Sequence, residues 1–374
     1  MKILKFKLYN HQQNRYLKRS INAVGVIYNY CIALHRRYYR MYGNHLNCAK
    51  LQIYRVKLRK RKPFWQAVGS QAVQELCQRI ERAYLLFFKH HKKGVSPPEF
   101  KKIKKYKSFT LKQAGYKFIG GTRVKIADRA YQYGNSKEIQ ETVKTLTIKP
   151  TALGELLMIV VVAYVSEPEA KFKTGKIAGF DFGGKTFLTI SHGTKIESPQ
   201  FLKQSINAIK TASRQHFQKR RESPNREGAR KNLVRKHEDV ANRRCNWFWK
   251  MAHELTDKFD VLCFETLNIK GMQHFWDRKM SDLAFGEFLQ ILQWIATKKG
   301  KQVVFLWRWY PSSKTCSDCG HVLESLDISV REWRFPSRPS IKGRDENASL
   351  NIQAVGASTV RLGDVRQAMP PIAV

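Results

Sequence analysis

The stretch Lys176-Ile-Ala-Gly-Phe-Asp-Phe-Gly-Gly184 decides the fold of the second half of the chain. An apolar run ends in an acid and then in two glycines, the pattern of a buried strand running into a tight turn with open space around its last carboxylate. Working outward, Val261-Leu-Cys-Phe-Glu265 repeats the design: an apolar strand that ends in an acid. Charged groups are costly at such places unless they are paired or bound to a cation. Between the two strands, residues 200–258 read as a long helical hairpin with its turn expected near Ser223-Pro-Asn-Arg-Glu-Gly228. Beyond them, Phe285, Phe288, Leu289, Leu292 and Ile295 recur at helical spacing, and Val303 to Leu306 reads as a strand. Strands alternating with helices imply a mixed α/β sheet covered by helices.

A third acid, Asp345, lies in Gly343-Arg-Asp-Glu-Asn-Ala-Ser-Leu-Asn-Ile352, which reads as the start of a helix with Ala348, Leu350 and Ile352 available to pack inward. If the two acid-bearing strands are neighbours, their ends are about 5 Å apart. A helix laid over the sheet can then bring the third carboxylate to the same place. Three converging carboxylates suit a hard divalent cation such as Mg²⁺. Two such ions about 4 Å apart can activate a water and stabilise the leaving oxygen of a phosphodiester. Any one acid at a strand end is more often a cap or an ion-pair partner, so the weight rests on the joint occurrence of Asp181, Glu265 and Asp345.

The 374 residues carry 69 Lys and Arg against 29 Asp and Glu, a formal net charge of +40. Folding gains nothing from that excess, and self-repulsion opposes it. A polyanion relieves it, and nucleic acid, whose phosphates release counterions when neutralised, is the natural partner. Two dense basic runs, Arg55 to Pro63 and Lys101 to Lys107, with Tyr54, Phe64, Trp65 and Tyr106 alongside, point to a groove that follows a nucleic-acid backbone. The longest apolar run, Leu156 to Val165, is about half the ~20 residues a membrane-spanning helix needs, and its valines mark it as a strand. Lys2 to Tyr9 alternates charged and apolar residues, a half-buried strand rather than a signal peptide. Helical patterns follow to about residue 90, with Val73, Leu76, Cys77, Ile80, Tyr84, Phe87 and Phe88 as the expected core stripe. Residues 95–170 read as β-rich, Ser166 to Lys171 as a linker, and the tail after Ala354 as weakly patterned. Seven scattered cysteines suggest reduced thiols and an intracellular, cytoplasmic setting.

The chain resembles the TnpB family of transposon-encoded RNA-guided nucleases, which are related to type V CRISPR effectors. The resemblance is carried by Gly179-Phe-Asp-Phe-Gly183, Phe264-Glu-Thr-Leu-Asn-Ile-Lys-Gly-Met272, Tyr310-Pro-Ser-Ser-Lys-Thr-Cys-Ser-Asp-Cys-Gly320 and Gly343 to Ile352, in that order. It implies a multidomain protein, α/β and α+β in class. A first strand (1–10) and residues 95–170 would form a wedge β-barrel around a helical recognition domain (11–94). An RNase H-like RuvC nuclease domain would follow (171–353), with a zinc-ribbon-like insertion (308–342) and a C-terminal tail (354–374). Asp181, Glu265 and Asp345 match the family's catalytic, magnesium-binding acids. The resemblance further implies a guide RNA and double-stranded target DNA as partners, no membrane, and work as a monomer on RNA in the prokaryotic nucleoid. Guide pairing would read the target while the protein reads a short adjacent motif. Candidates for contact with nucleic acid are Tyr54, Ser70, Gln71 and Gln74 near the adjacent motif, glutamine being able to pair bidentately with adenine, and Arg235, Arg243 and Arg244 along the guide–target duplex.

The chain departs from the family's pattern where a second CxxC pair is expected. Cys316 and Cys319 are candidate zinc ligands, with His321 nearby but close in sequence for closing the site, and Phe335 and Arg338 stand in place of the second pair. A structural zinc needs four ligands, so the loop over 314–342 is expected to be mobile or rebuilt on packing of Leu326, Ile328, Val330, Trp333 and Phe335. Gly343 also replaces an acid common in the family's last motif. Two other functions remain open on sequence alone: an RNA-guided DNA-binding protein that does not cut, and an RNase H-like nuclease or transposase that needs no guide.

Overall fold

The computed structural model describes residues 2–9, 12–61, 63–66, 68–103, 106–134, 139, 141–163, 174–184, 186–267, 282–327, 330–335 and 338–361. The chain divides into two units, residues 1–165 and 166–374; the expected linker over 166–171 lies outside the described residues.

In the first unit, β1 (Lys2–Lys7) pairs antiparallel with β7 (Leu156–Val162), β7 with β6 (Val143–Pro150), and β6 with β2 (Phe109–Leu111). Although β7 is apolar throughout, only alternate residues, Leu156, Met158, Val160 and Val162, are fully buried, as a pleated strand with one face on the core requires. A second sheet joins β3 (Tyr116–Phe118), β4 (Arg123–Ile126) and β5 (Arg129–Gln132), and an isolated bridge from Leu8 to Tyr133 ties it to the end of β1. The expected barrel is therefore corrected: among the described residues these are two open sheets of four and three strands.

Four helices share this core: α1 (Asn14–Tyr42), α2 (Cys48–Arg61), α3 (Pro63–Gln66) and α4 (Ser70–His90). Of the expected α4 stripe, Val73, Leu76, Cys77, Ile80 and Tyr84 are buried and Phe87 is partly buried. Phe88 instead stays 44% exposed, its ring edge against His45. Two aromatics expected beside the basic runs turn inward. Trp65 is buried at 1% exposure, and Tyr106 packs on Tyr28 with ring centroids 5.5 Å apart, in space left by Gly25. Arg55 and residues 58–64 have side chains outside those described, Phe64 among them.

The second unit is built on one five-stranded sheet in the order β10-β9-β8-β11-β12: β8 (Ile177–Phe182), β9 (Thr186–Ile190), β10 (Lys195–Glu197), β11 (Val261–Glu265) and β12 (Gln302–Leu306). Strands β8, β11 and β12 are parallel, and β9 and β10 extend the sheet as antiparallel hairpins. The hairpin arms are α5 (Phe201–Gln218) and α6 (Pro224–Lys258). The turn ends earlier than the sequence suggested: the Ser223 hydroxyl accepts the Arg226 N–H at 3.2 Å and Pro224 opens the helix, the ordinary N-cap and first-turn preferences. Helix α7 (Phe285–Lys298) joins α6 against one sheet face, where Phe180, Phe182 and Phe264 stack and meet Phe248, Phe285 and Phe288. A hairpin of β13 (Glu332–Phe335) and β14 (Arg338–Gly343) leads into α8 (Arg344–Arg361). The chain after Ala354 therefore continues as helix, with Val355 and Val360 packed against the sheet, and the tail beyond 361 lies outside the described residues. The fold is mixed α/β, as the alternation implied.

Candidate active site

Strands β8 and β11 run parallel with Val261 opposite Ile177, Cys263 opposite Gly179 and Phe264 opposite Phe180. Asp181 and Glu265 are the next residues. Paired positions on parallel neighbours face the same side, and adjacent strands lie about 4.8 Å apart, so the two acids end adjacent strands on one face. Gly179 and Cys263 occupy that face one pleat earlier. Helix α8 covers it closely. A Cβ on Gly179 would lie 2.0 Å from the Ser349 carbonyl oxygen, and one on Gly356 would lie 2.3 Å from Cys263 Sγ. Gln353 Nε2 donates to the Ile177 carbonyl at 2.9 Å. The helix thus runs back along β8 from its acidic end. Asp345, four residues before Ser349, shares the sheet-facing side of α8 one turn nearer that end.

Asp181 is only 8% exposed. Burial pushes its pKa well above the usual carboxylate range, and the charges of Glu265 and Asp345 push it further, against the pull of Arg344 and of the Phe182 N–H. Glu265 is also raised by burial, while the Ser312 hydroxyl, donating to Oε2 at 3.4 Å, and Arg344 oppose the shift. Asp345 Oδ1 lies 3.9 Å from Arg331 Nη1. Among the described residues no group of three acids, histidines or cysteines is close enough to hold an ion. The donor set nonetheless fits Mg²⁺ in kind: all the candidate ligands are carboxylate oxygens, and the burial and neighbouring negative charge that raise the Asp181 pKa are what a divalent cation offsets.

Residues 160–275 match the family model described as "Probable transposase" (OrfB_IS605), and residues 285–352 match that of the Cas12f1-like TNB domain. A Streptomyces pristinaespiralis protein named "Putative RNA-guided DNA endonuclease" is 26% identical over 96% of this chain and 90% of its own length. A TnpB-like protein of Acanthamoeba polyphaga mimivirus is 29% identical over 48% of this chain and 37% of its own. The chain is similar to TnpB-like proteins and to proteins named as RNA-guided DNA endonucleases. The solved Cas12f1–sgRNA–target DNA complex aligns with 94% of this chain and 98% of its own at 16% identity and a TM-score of 0.36.

Among the described residues, no group of three His, Cys, Asp or Glu that could hold a metal ion includes Cys316 and Cys319. Cys316 is buried and Cys319 exposed, and two thiols do not make a tetrahedral site. Side-chain amides from α8 hold the cysteine turn instead. Asn347 accepts the Ser317 N–H at 2.9 Å and donates to the Thr315 carbonyl at 2.7 Å, and Asn351 donates to the Ser312 and Thr315 carbonyls at 2.9 and 2.6 Å. Leu323, Leu326 and Val330 pack around Cys316. Of the expected packing residues, Ile328 and the side chains of Trp333 and Phe335 lie outside the described residues, as does the side chain of Arg338. The sequence reading assigned no role to Ser312, Asn347 or Asn351. The signal available was the spacing of Asn347 and Asn351, one helical turn apart beside the inward-facing Ala348 and Ile352.

The expected nucleic-acid contacts fall in both units of the chain. Tyr54 is exposed on α2, while Ser70, Gln71 and Gln74 lie at the start of α4, the two glutamines partly buried. Arg235 is exposed on α6. Arg243 and Arg244 are engaged within the protein: Arg243 with Asp239, the Ser205 hydroxyl and the face of Phe201, and Arg244 with Glu287. Among the described residues no helix is long and apolar enough to cross a membrane.

Proposed function

We propose that this protein is an RNA-guided DNA endonuclease that hydrolyses phosphodiesters at Asp181, Glu265 and Asp345. The observation that carries the reading is the neighbouring placement of Asp181 and Glu265 on one sheet face, with the first turn of α8 directed at it. The names of its relatives and the charge of +40 support it. The carboxylates would hold Mg²⁺, which when bound supplies the positive charge that activates the attacking water and steadies the leaving oxygen. Asp181 holds its carboxylate in the buried floor, Ser312 orients Glu265, and Asp345 joins them by turning from Arg331. In this reading residues 11–94 and the open sheets of 1–10 and 95–170 grip guide RNA and read the adjacent motif, while pairing with the guide selects the target.

One observation favours a second reading, in which the protein binds guided targets without cutting: Asp345 is drawn toward Arg331 and the three acids are not gathered. One experiment decides. The protein is purified with its co-expressed RNA, the RNA is sequenced, and matched linear DNA is supplied with Mg²⁺. Cutting that is lost in Asp181→Ala while binding persists supports the endonuclease. Binding without cutting by the unaltered protein supports the binder.

A further inference from the structure

The segment Trp307-Arg-Trp309 follows β12 directly, and both ends of its loop are tied to Glu265. At one end Leu306 is the register partner of Glu265, and its carbonyl accepts the Thr266 hydroxyl at 2.6 Å. At the other end Ser312 donates to Glu265 Oε2. Between them the Tyr310 N–H closes a turn on the Trp307 carbonyl at 3.1 Å. A chain extends at most about 3.6 Å per residue, so Trp309 Cα lies within about 11 Å of Leu306 Cα, beside the acids.

Both rings point into solvent. Trp307 is 72% exposed and Trp309 67%. Trp247 and Trp249, by contrast, pack in the helical layer against Phe187 and Trp294. Two exposed indoles on a pinned turn form an apolar surface that folding does not use. Arg308 lies between them in sequence, its guanidinium 5.0 Å from the Trp309 ring centre. Aromatic faces with an interleaved cation are the chemistry that takes unstacked bases and their phosphates. A duplex offers no free base face, so the matching occupant is a single strand.

We propose that Trp307 and Trp309 stack on bases of a single DNA strand and so lead that strand across Asp181 and Glu265, with Arg308 neutralising a phosphate. This deepens the endonuclease reading and rests on it for the identity of the strand. The rings are positioning residues; no chemistry is assigned to them.

The test uses the full chain with its co-purified RNA, in Mg²⁺-free buffer at raised salt, where contacts to phosphate alone are weakened. The probes are a short labelled DNA strand unrelated to that RNA and its duplex form. Trp307→Ala and Trp309→Ala are expected to weaken single-strand binding roughly tenfold each, leave duplex binding unchanged, and recover on Trp→Phe. Because both rings are exposed, thermal unfolding should not move. Unchanged single-strand affinity overturns the proposal, as does an equal loss for both probes. It also fails if the substitutions change only self-association, measured by sedimentation. Because the assay needs no cutting, the stacking proposal can hold while the nuclease reading fails, and cutting can survive while stacking fails.

Discussion

The Ser349 carbonyl rests so near Gly179 Cα that a Cβ at that position would come within 2.0 Å of it. The contact is backbone against backbone, so neither side can yield by a rotamer change. It sets how close α8 lies to β8, and through the helix how near Asp345 comes to Asp181.

Gly179→Ala is therefore expected to lift α8 from the sheet. Overpacking of this kind costs about 1–3 kcal/mol, read as a lower urea midpoint with unchanged slope. Cutting should fall more steeply than stability explains, because one acid is displaced. A variant as stable and as active as the parent would show that α8 does not set the site.

Asp181→Asn removes a carboxyl whose pKa is raised in the folded state by burial and then by the charges of Glu265 and Asp345. Without metal, the folded state at neutral pH gains by losing that burden. Each kcal/mol is worth about 2–4 °C in Tm for a domain of this size, so the variant should melt higher than the parent in chelator. Added Mg²⁺ should raise the parent's Tm more than the variant's. A lower Tm for the variant in chelator would mean that Asp181 is stabilised by a partner instead.

His35 is buried in the first unit, stacked on Tyr84 at 3.9 Å and 4.6 Å from His45, and its pKa is lowered to about 4, chiefly by burial and then by the His45 charge. Its folded value lies below the unfolded 6.5, so as pH falls the unfolded chain takes up the proton first. The stability owed to neutral His35 is complete above pH 6.5 and is lost as pH drops toward 4. At about 1.36 kcal/mol per pH unit, the loss is at most about 3 kcal/mol. Urea unfolding between pH 7 and 4 should show this slope, and His35→Phe should flatten it.

Asn347→Ala and Asn351→Ala each remove one of the two side-chain donors to the Thr315 carbonyl together with a second bond, to the Ser317 N–H or the Ser312 carbonyl. Each lost hydrogen bond costs about 0.5–1.5 kcal/mol. Both variants should destabilise the second unit and, by freeing the loop that carries Ser312, slow cutting. Cys319→Ser should be close to neutral, and a zinc-selective chelator should leave Tm unchanged. A fall in Tm with that chelator would show that metal, not the amides, holds the turn.

The strand–acid pattern at Asp181 and Glu265, the helical hairpin, the amphipathic α7 and the stripe on α4 were legible in sequence, because burial imposes a period on side chains wherever one face meets a core. The short β9 and β10 were not read, since strands of five and three residues carry too few alternations. Trp65 and Tyr106 looked like groove aromatics and are packed inward, because local composition does not tell which side of a helix or loop meets the core. The same gap hid the amide clamp of Asn347 and Asn351, whose partners lie 30 to 39 residues away along the chain.

By itself the sequence determined the mixed α/β class of the fold, the charge of +40 and the acids that close two buried strands, because periodicity and charge are properties of the chain. Only the tertiary structure decided that Asp181 and Glu265 end adjacent parallel strands, that Gly179 and Gly356 let α8 come down on them, and that Asp345 stands 3.9 Å from Arg331. Those are relations of register and close approach, which depend on what stands opposite a residue rather than beside it.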